Sequence, residues 1–114
     1  MSTSFSSAYR LAVLVPCRNE ALTIAQVVTD FRQQLPNAAI YVYDNCSTDD
    51  TATVARQAGA IVRYEKQPGK GNVIRRMFAD IEADIYILVD GDNTYESSAV
   101  GRLVDIMINE QLFL

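Results

Sequence analysis

Asp90 and Asp92 flank a glycine directly after the apolar run Ile85–Val89. In an extended or gently turned segment residues i and i+2 project to the same side. Two carboxylates held there repel each other unless a cation sits between them. Hard oxygen donors of this kind suit Mg2+ or Mn2+, which keeps open positions for phosphate oxygens. Gly91 lets a ligand approach the backbone closely. Asp-Gly-Asp is also an ordinary polar turn with acids that cap a following helix, so the tripeptide alone leaves both a metal site and a turn open.

Three other loops carry groups of complementary chemistry. Gly69-Lys70-Gly71-Asn72 opens a helical stretch, where free N–H groups and the helix dipole favour an anion and Lys70 adds a mobile positive charge. Asp44 ends an apolar strand and begins the polar run Asn45–Asp50, a place from which an acid can accept hydrogen bonds from a base N–H or a ribose hydroxyl. Pro16 fixes the turn out of the first strand, and Arg18 and Glu20 follow as polar groups aimed at the same rim. Each of these loops alone can also be explained by solubility or helix capping, which accounts for Asp49 or Asp50 better than for Asp44.

The elements that must position these loops alternate in type. Leu11–Val15, Ala39–Tyr43, Ile61–Tyr64 and Ile85–Val89 read as strands, the last as the most uniformly apolar. Between them, Leu22 to about Leu35 has Leu22, Val27, Val28, Phe31 and Leu35 at helical spacing, closed by Pro36. A short helix runs through Ala52, Val54 and Ala55, capped by Asp49 or Asp50, with Gly59 at its C-terminal stop. The spacing predicts a third helix over about Asn72–Glu82, with Val73, Met77, Phe78 and Ile81 facing inward. A fourth is expected near Ser97–Asn109. Such alternation argues for a parallel sheet with right-handed crossovers. In these sheets ligands sit at the carboxyl ends of the strands, near the switch in strand order. All four loops above lie at such ends.

Composition narrows the partners. A chain of 114 residues is about one domain's worth, long enough to bury a core. Its 49% apolar and 21% charged residues are those of a soluble globular protein. The net charge of −4, with no basic run, argues against nucleic acid and against an anionic membrane surface as general partners. Met1–Ser7 lacks a basic n-region, and Leu11–Val15 is too short for a signal peptide core. No stretch approaches the ~20 apolar residues of a membrane-spanning helix. The chain reads as cytoplasmic, and Cys17 and Cys46 read as small loop residues of a reducing compartment rather than a disulfide.

In combination the loops resemble glycosyltransferase family 2, over about residues 10–105. Val15-Pro16-Cys17-Arg18-Asn19-Glu20 looks like that family's opening motif at the nucleotide. Asp44-Asn45-Cys46-Ser47-Thr48-Asp49-Asp50-Thr51 is similar to its second motif, and Gly69-Lys70-Gly71-Asn72 to the loop whose lysine approaches the diphosphate. Asp90-Gly91-Asp92 matches its Asp-x-Asp. The resemblance implies the GT-A fold: α/β, Rossmann-like, three layers α/β/α around a mainly parallel sheet. It implies a GDP- or UDP-sugar donor held by Pro16, Arg18, Glu20, Asp44, Lys70, Asp90 and Gly91. It further implies Mg2+ or Mn2+ on Asp90 and Asp92, and hexosyl transfer with inversion. The context Gly-Lys-Gly-Asn with Asp-Gly-Asp-Asn-Thr-Tyr also looks like the branch that acts on polyprenyl phosphates, such as dolichol-phosphate mannosyltransferases.

Residues 1–9 are expected to form a flexible N-terminus and 10–114 the nucleotide-sugar-binding half of the domain. Gln111–Leu114 resembles the start of a fifth strand, so the chain reads as truncated, with an edge open to self-association. An acceptor pocket, a third metal ligand and a catalytic base are expected beyond Leu114, and the fragment alone is expected to bind donor weakly and turn over little. Two other functions fit parts of the pattern. Asp90-Gly91-Asp92-Asn93-Thr94 also fits the Asp-x-Asp-x-Thr of haloacid dehalogenase phosphatases, although that motif normally follows the first strand. A non-catalytic nucleotide-binding fragment is the other. A dinucleotide-binding dehydrogenase lacks support, since Pro16–Glu20 contains no Gly-x-Gly-x-x-Gly.

Overall fold

The apolar run after Arg10 forms the most buried element of the protein. In the computed structural model, which describes residues 9–91, β1 (Leu11–Cys17) has all seven residues buried. It is followed by α1 (Ile24–Gln34), β2 (Ala39–Asp44), α2 (Thr51–Gln57), β3 (Ile61–Tyr64), α3 (Lys70–Asp80) and β4 (Ile85–Leu88). The strands form one parallel sheet in the order β3-β2-β1-β4. The expected α/β architecture is therefore present.

Strand alternation divides the core into two layers of side chains. Leu11, Val13, Val15 and Cys17 point to the face covered by α1 and α2, where they meet Ile24, Val27, Val28, Phe31 and Ala55. Ala12 and Leu14 point to the opposite face, where Val73, Met77 and Ile81 pack against them with Tyr43. This is the three-layer arrangement. α1 has no side-chain bond at its N-cap residue Thr23. Burial holds it instead: Ile24, Val27, Val28 and Phe31 are fully buried, each contributing about 1.5–3 kcal/mol.

α2 ends in a glycine-dependent cap. The N–H of Gly59 donates to Arg56 O at 3.1 Å and that of Ala60 to Ala55 O at 3.1 Å. This pair of bonds needs a left-handed residue between them, and Gly59 has φ +106°.

Several sequence expectations are corrected. Pro16 does not end β1; it lies within the strand, opposite Tyr43 of β2. Backbone polar groups of successive strand residues point to alternate sides, and Leu14 O, on the β4 side, accepts the last bond, from Val89 N–H at 3.0 Å. The N–H that Pro16 lacks would face the same side, opposite Val89 O, so the β1–β4 ladder ends at this point while β1 stays paired with β2. β4, although the most uniformly apolar run, is less buried than β1: it pairs only with β1 among the described residues, and Leu88 is exposed. Leu22 precedes α1 and is fully exposed, while Phe78 points outward and packs its ring edge-on to Tyr86 at 4.9 Å. α3 starts at Lys70, earlier than expected, and stops at Asp80, before Glu82. Asp92, the expected helix near Ser97–Asn109 and the edge at Gln111–Leu114 lie outside the described residues. Among the described residues no helix is long and apolar enough to cross a membrane.

Candidate functional site at the carboxyl ends of the strands

The register brings the four loops together. Cys17 of β1 pairs with Asp44 of β2, so the loops after these strands start at one level. On the other side of β1, Leu14 pairs with Leu88, which places Asp90 level with Pro16 and Gly91 level with Cys17. Strand order reverses here: β2 lies on one side of β1 and β4, reached after β3, on the other. This is the switch point at which parallel sheets bind ligands.

The first two loops are locked to each other. Asn19 Oδ1 accepts from Thr48 N–H at 2.8 Å, and Asn19 N–H donates to Ser47 Oγ at 2.9 Å. Glu20 N–H donates to the fully buried Thr51 hydroxyl at 2.9 Å, and Ala21 N–H to Asp49 Oδ2 at 3.3 Å. Asp49 also accepts from the backbone N–H and hydroxyl of Thr51, and the hydroxyl bond above all holds its carboxyl below the usual range. Asp49, rather than Asp50, therefore supplies the side-chain bonds at the start of α2.

The fourth loop docks on the first. Thr23 Oγ donates to Gly91 O at 2.6 Å, so this hydroxyl serves the loop after β4 instead of capping α1. A Cβ on Gly91 would lie 2.6 Å from Cys17 Sγ. What the missing side chain makes room for is the protein's own first loop.

Between these loops lies a crevice of 230 Å³, bordered by Pro16, Arg18, Glu20, Asn45, Lys70 and Asp90 among others. Lys70 Nζ forms an ion pair with Asp90 Oδ1. Both side chains are more than half exposed, at 57% and 53%. Pairs this open are worth at most about 1 kcal/mol, so the lysine separates from the carboxylate at little cost. Asp44 borders a second depression of 360 Å³ with Cys46, Ser47 and Tyr64. Its carboxylate is largely buried and accepts from Ser47 N–H at 3.0 Å.

Of the residues singled out from sequence, Pro16, Arg18, Glu20, Lys70 and Asp90 thus share one crevice, Asp44 faces the next depression, and Gly91 supports the wall. Sequence reasoning overlooked Asn45, Thr23, Asn19 and Thr51, which fasten the loops. All four have side chains that can bond loop backbone, but type alone does not distinguish a bridging Asn or Thr from a solvated one.

No group of three or more metal-ligating side chains gathers among the described residues. The part of the donor set that is described nevertheless fits a hard divalent cation. Asp90 presents an oxygen ligand to the crevice, its counter-ion is a readily displaced lysine, and Glu20 lines the same space.

The two cysteines are free, and their environments differ. Cys17 is buried, and burial, followed by the Glu20 charge, pushes its thiol far above the ordinary range. Cys46 is exposed, with φ +65°. A thiol reagent is expected to modify Cys46 in the native chain and Cys17 only on unfolding, as counted by mass spectrometry; rapid native labelling of Cys17 would contradict this packing.

Comparison with known proteins agrees with the geometry. The profile of glycosyl transferase family 2 matches residues 12–112, and the chain belongs to that family. It is 51% identical to the protein RfbJ of Shigella flexneri over 104 residues, covering 91% of this chain and 81% of RfbJ. It is 38% identical to the glycosyltransferase AglJ of Haloferax volcanii over 96 residues, covering 83% of this chain but 31% of AglJ. Among solved structures, a mycobacterial protein superposes with a TM-score of 0.83 at 27% identity, over 95% of this chain and 40% of that one. Glucosyl-3-phosphoglycerate synthase of Mycobacterium tuberculosis, solved with Mn2+, UDP-glucose and phosphoglyceric acid, gives a TM-score of 0.70 at 27% identity, over 79% of this chain and 36% of the synthase. These matches do not favour the phosphatase alternative for Asp90 and Asp92.

Proposed function

We propose that these residues are the donor-binding part of a nucleotide-sugar glycosyltransferase. The observation that carries this is the convergence of Pro16, Arg18, Glu20, Lys70 and Asp90 on one crevice at the switch point, with Asp44 bordering the second depression. Consecutive residues line the two, Asp44 the depression and Asn45 the crevice. A nucleotide laid across them puts its nucleoside at Asp44, which can accept from a base N–H or ribose hydroxyl. Its diphosphate then reaches Lys70 and Asp90.

A Mg2+ or Mn2+ ion held by Asp90 and Asp92 would neutralise charge developing on the leaving diphosphate. Lys70 contributes a positive charge to the same oxygens once it leaves Asp90. Arg18 adds a second cation to the crevice wall. Transfer with inversion is part of this proposal, as is an acceptor that already carries a phosphate. Polyprenyl phosphate is the acceptor suggested by Gly69–Asn72 together with Asp90–Tyr95, and an anionic acceptor needs little help from a base. We place the protein in the cytoplasm, where an exposed free thiol such as Cys46 stays reduced.

The test is thermal. UDP or GDP with Mn2+ is expected to raise the melting temperature, and Mn2+ alone to raise it little. Absence of a shift with every nucleoside diphosphate would remove the donor-site assignment. Hydrolysis of an aryl phosphate, lost in Asp90→Asn, would support the phosphatase instead.

A further inference from the structure

We propose that Thr23 is a positioning residue for the metal end of the donor site: its hydroxyl, bonded to Gly91 O, holds the acidic turn after β4 in the shape that binds the divalent cation. The proposal rests on the donor-binding function above. Neither the motif resemblance nor that function gives Thr23 a role.

Thr23 stands where a helix N-cap belongs. A threonine there usually accepts from a free N–H of the first turn, but this one makes no such bond. Its Oγ donates instead to Gly91 O at 2.6 Å, 68 positions away in sequence, with Glu20 O farther off at 3.4 Å. The start of α1 does not need the hydroxyl, since Ile24, Val27 and Val28 are fully buried and hold the helix by apolar contact.

The post that carries the hydroxyl is rigid. Thr23 N–H and Ile24 N–H both donate to Glu20 O, at 3.0 and 2.9 Å, and Thr23 O accepts from Val27 N–H at 3.2 Å. Glu20 N–H is fixed in turn on the buried Thr51 hydroxyl at 2.9 Å. This turn is therefore tied to α1 and to the second loop, independently of β4.

What it holds is the glycine that separates Asp90 from Asp92 in sequence. The bond from Val89 N–H to Leu14 O fastens the chain two residues earlier. Beyond it, the hydrogen bonds of this turn among the described residues are the Thr23 bond and the exposed Lys70–Asp90 pair, and the lysine is readily displaced. Packing against Cys17 places Gly91, and the bond to its carbonyl orients the planar peptide unit that follows. Gly91 is buried, so loss of the hydroxyl leaves that carbonyl without its donor, and the turn changes shape to reach another. A small divalent ion demands accurately placed oxygens. Contacts to the nucleotide from α3, Lys70 among them, do not pass through Thr23.

The experiment is calorimetric titration of the whole chain with UDP and with GDP, each with Mn2+ and without divalent metal, in the wild type, Thr23→Val and Thr23→Ser. Valine replaces the hydroxyl by a methyl of similar size, whereas serine keeps the donor. In Thr23→Val the gain in affinity that Mn2+ gives is expected to fall about tenfold, with metal-free affinity changed by less than about twofold. Thr23→Ser should restore the gain to within about threefold of the wild type. Half-saturation by Mn2+ at fixed nucleotide, followed by its electron-spin-resonance signal, should move upward in Thr23→Val and return in Thr23→Ser; it carries the comparison if metal-free binding is too weak to titrate. Equal losses with and without Mn2+, an unchanged Mn2+ response in Thr23→Val, or no rescue by serine would overturn the proposal. Thr23→Ala provides the same comparison if the valine variant does not fold, and failure of both to fold would make Thr23 a residue of the fold alone and overturn it too. A wild-type chain that binds neither nucleoside diphosphate removes the donor site, and one that gains nothing from Mn2+ removes the metal; the wild-type titration separates these outcomes from a failure at Thr23.

Discussion

Asp90→Ala is expected to abolish the rise in melting temperature that a nucleoside diphosphate produces with Mn2+, while leaving the ligand-free protein nearly as stable as before. The two halves of this expectation have different causes. The Asp90 side chain is 53% exposed and its described partner is the equally open Lys70, so its removal costs at most about 1 kcal/mol. A ligand at one hundred times its Kd stabilises by about 2.7 kcal/mol. For a chain of this size that corresponds to roughly 10 °C. Loss of a shift this large without loss of ligand-free stability distinguishes a ligand-binding carboxylate from a structural one. Asp92→Ala carries the same expectation. A variant at Asp90 that keeps the full shift would take this residue out of the metal and diphosphate site.

Gly91→Ala is expected to damage both stability and binding, through one methyl group. The added Cβ would lie 2.6 Å from Cys17 Sγ and 3.4 Å from Glu20 Cγ and Ile24 Cδ1. The sulfur is buried at the end of the central strand and has little room to move. The loop must move instead, which strains the 2.6 Å bond from Thr23 to Gly91 O and displaces Asp90. Overpacking of this kind costs about 1–3 kcal/mol. Gly91 is not among the residues in the left-handed region, so alanine also gains about 0.4–1 kcal/mol by restricting the unfolded chain. The clash outweighs that gain. Cys17→Ala removes the obstructing sulfur, so the double variant should bind nucleotide with Mn2+ better than Gly91→Ala alone. Chemical denaturation and titration of the four proteins measure the coupling; effects that simply add would contradict this contact.

Much of the fold was legible because it rests on periodicity. Val27, Val28 and Phe31 recur at helical spacing and are all buried, and the four apolar runs are the four described strands. The failures have a common origin in packing that periodicity does not encode. Leu22 and Phe78 fit their helical stripes, yet the chain before α1 and the outer side of α3 turn them to solvent. Pro16 read as a strand end because proline usually breaks a ladder; it is tolerated inside β1 because it ends only the β4 side of the ladder, while β1 stays paired with β2 through Cys17.

The candidate site was legible in its charged residues and illegible in its fasteners. Glu20, Lys70 and Asp90 announce themselves by type and by their place after strands. Asn45, Thr23 and Asn19 matter through bonds spanning 20 to 68 residues, and such long-range pairing leaves no local pattern. Gly91 was read as room for a ligand; the structure shows that it leaves room for Cys17.

The central claim is that the nucleotide's diphosphate and its metal lie in the crevice between β1 and β4. Paramagnetic broadening by Mn2+ in an amide-resolved NMR spectrum, recorded with and without UDP or GDP, tests it most directly. With nucleotide present, the amides of Cys17, Arg18, Asn45, Lys70 and Gly91 are expected to broaden strongly. Those of Arg32, Ala39 and Gly59, which line a cleft elsewhere on the protein, should keep their intensity. Broadening centred on that cleft, or spread evenly with no dependence on nucleotide, would contradict the account.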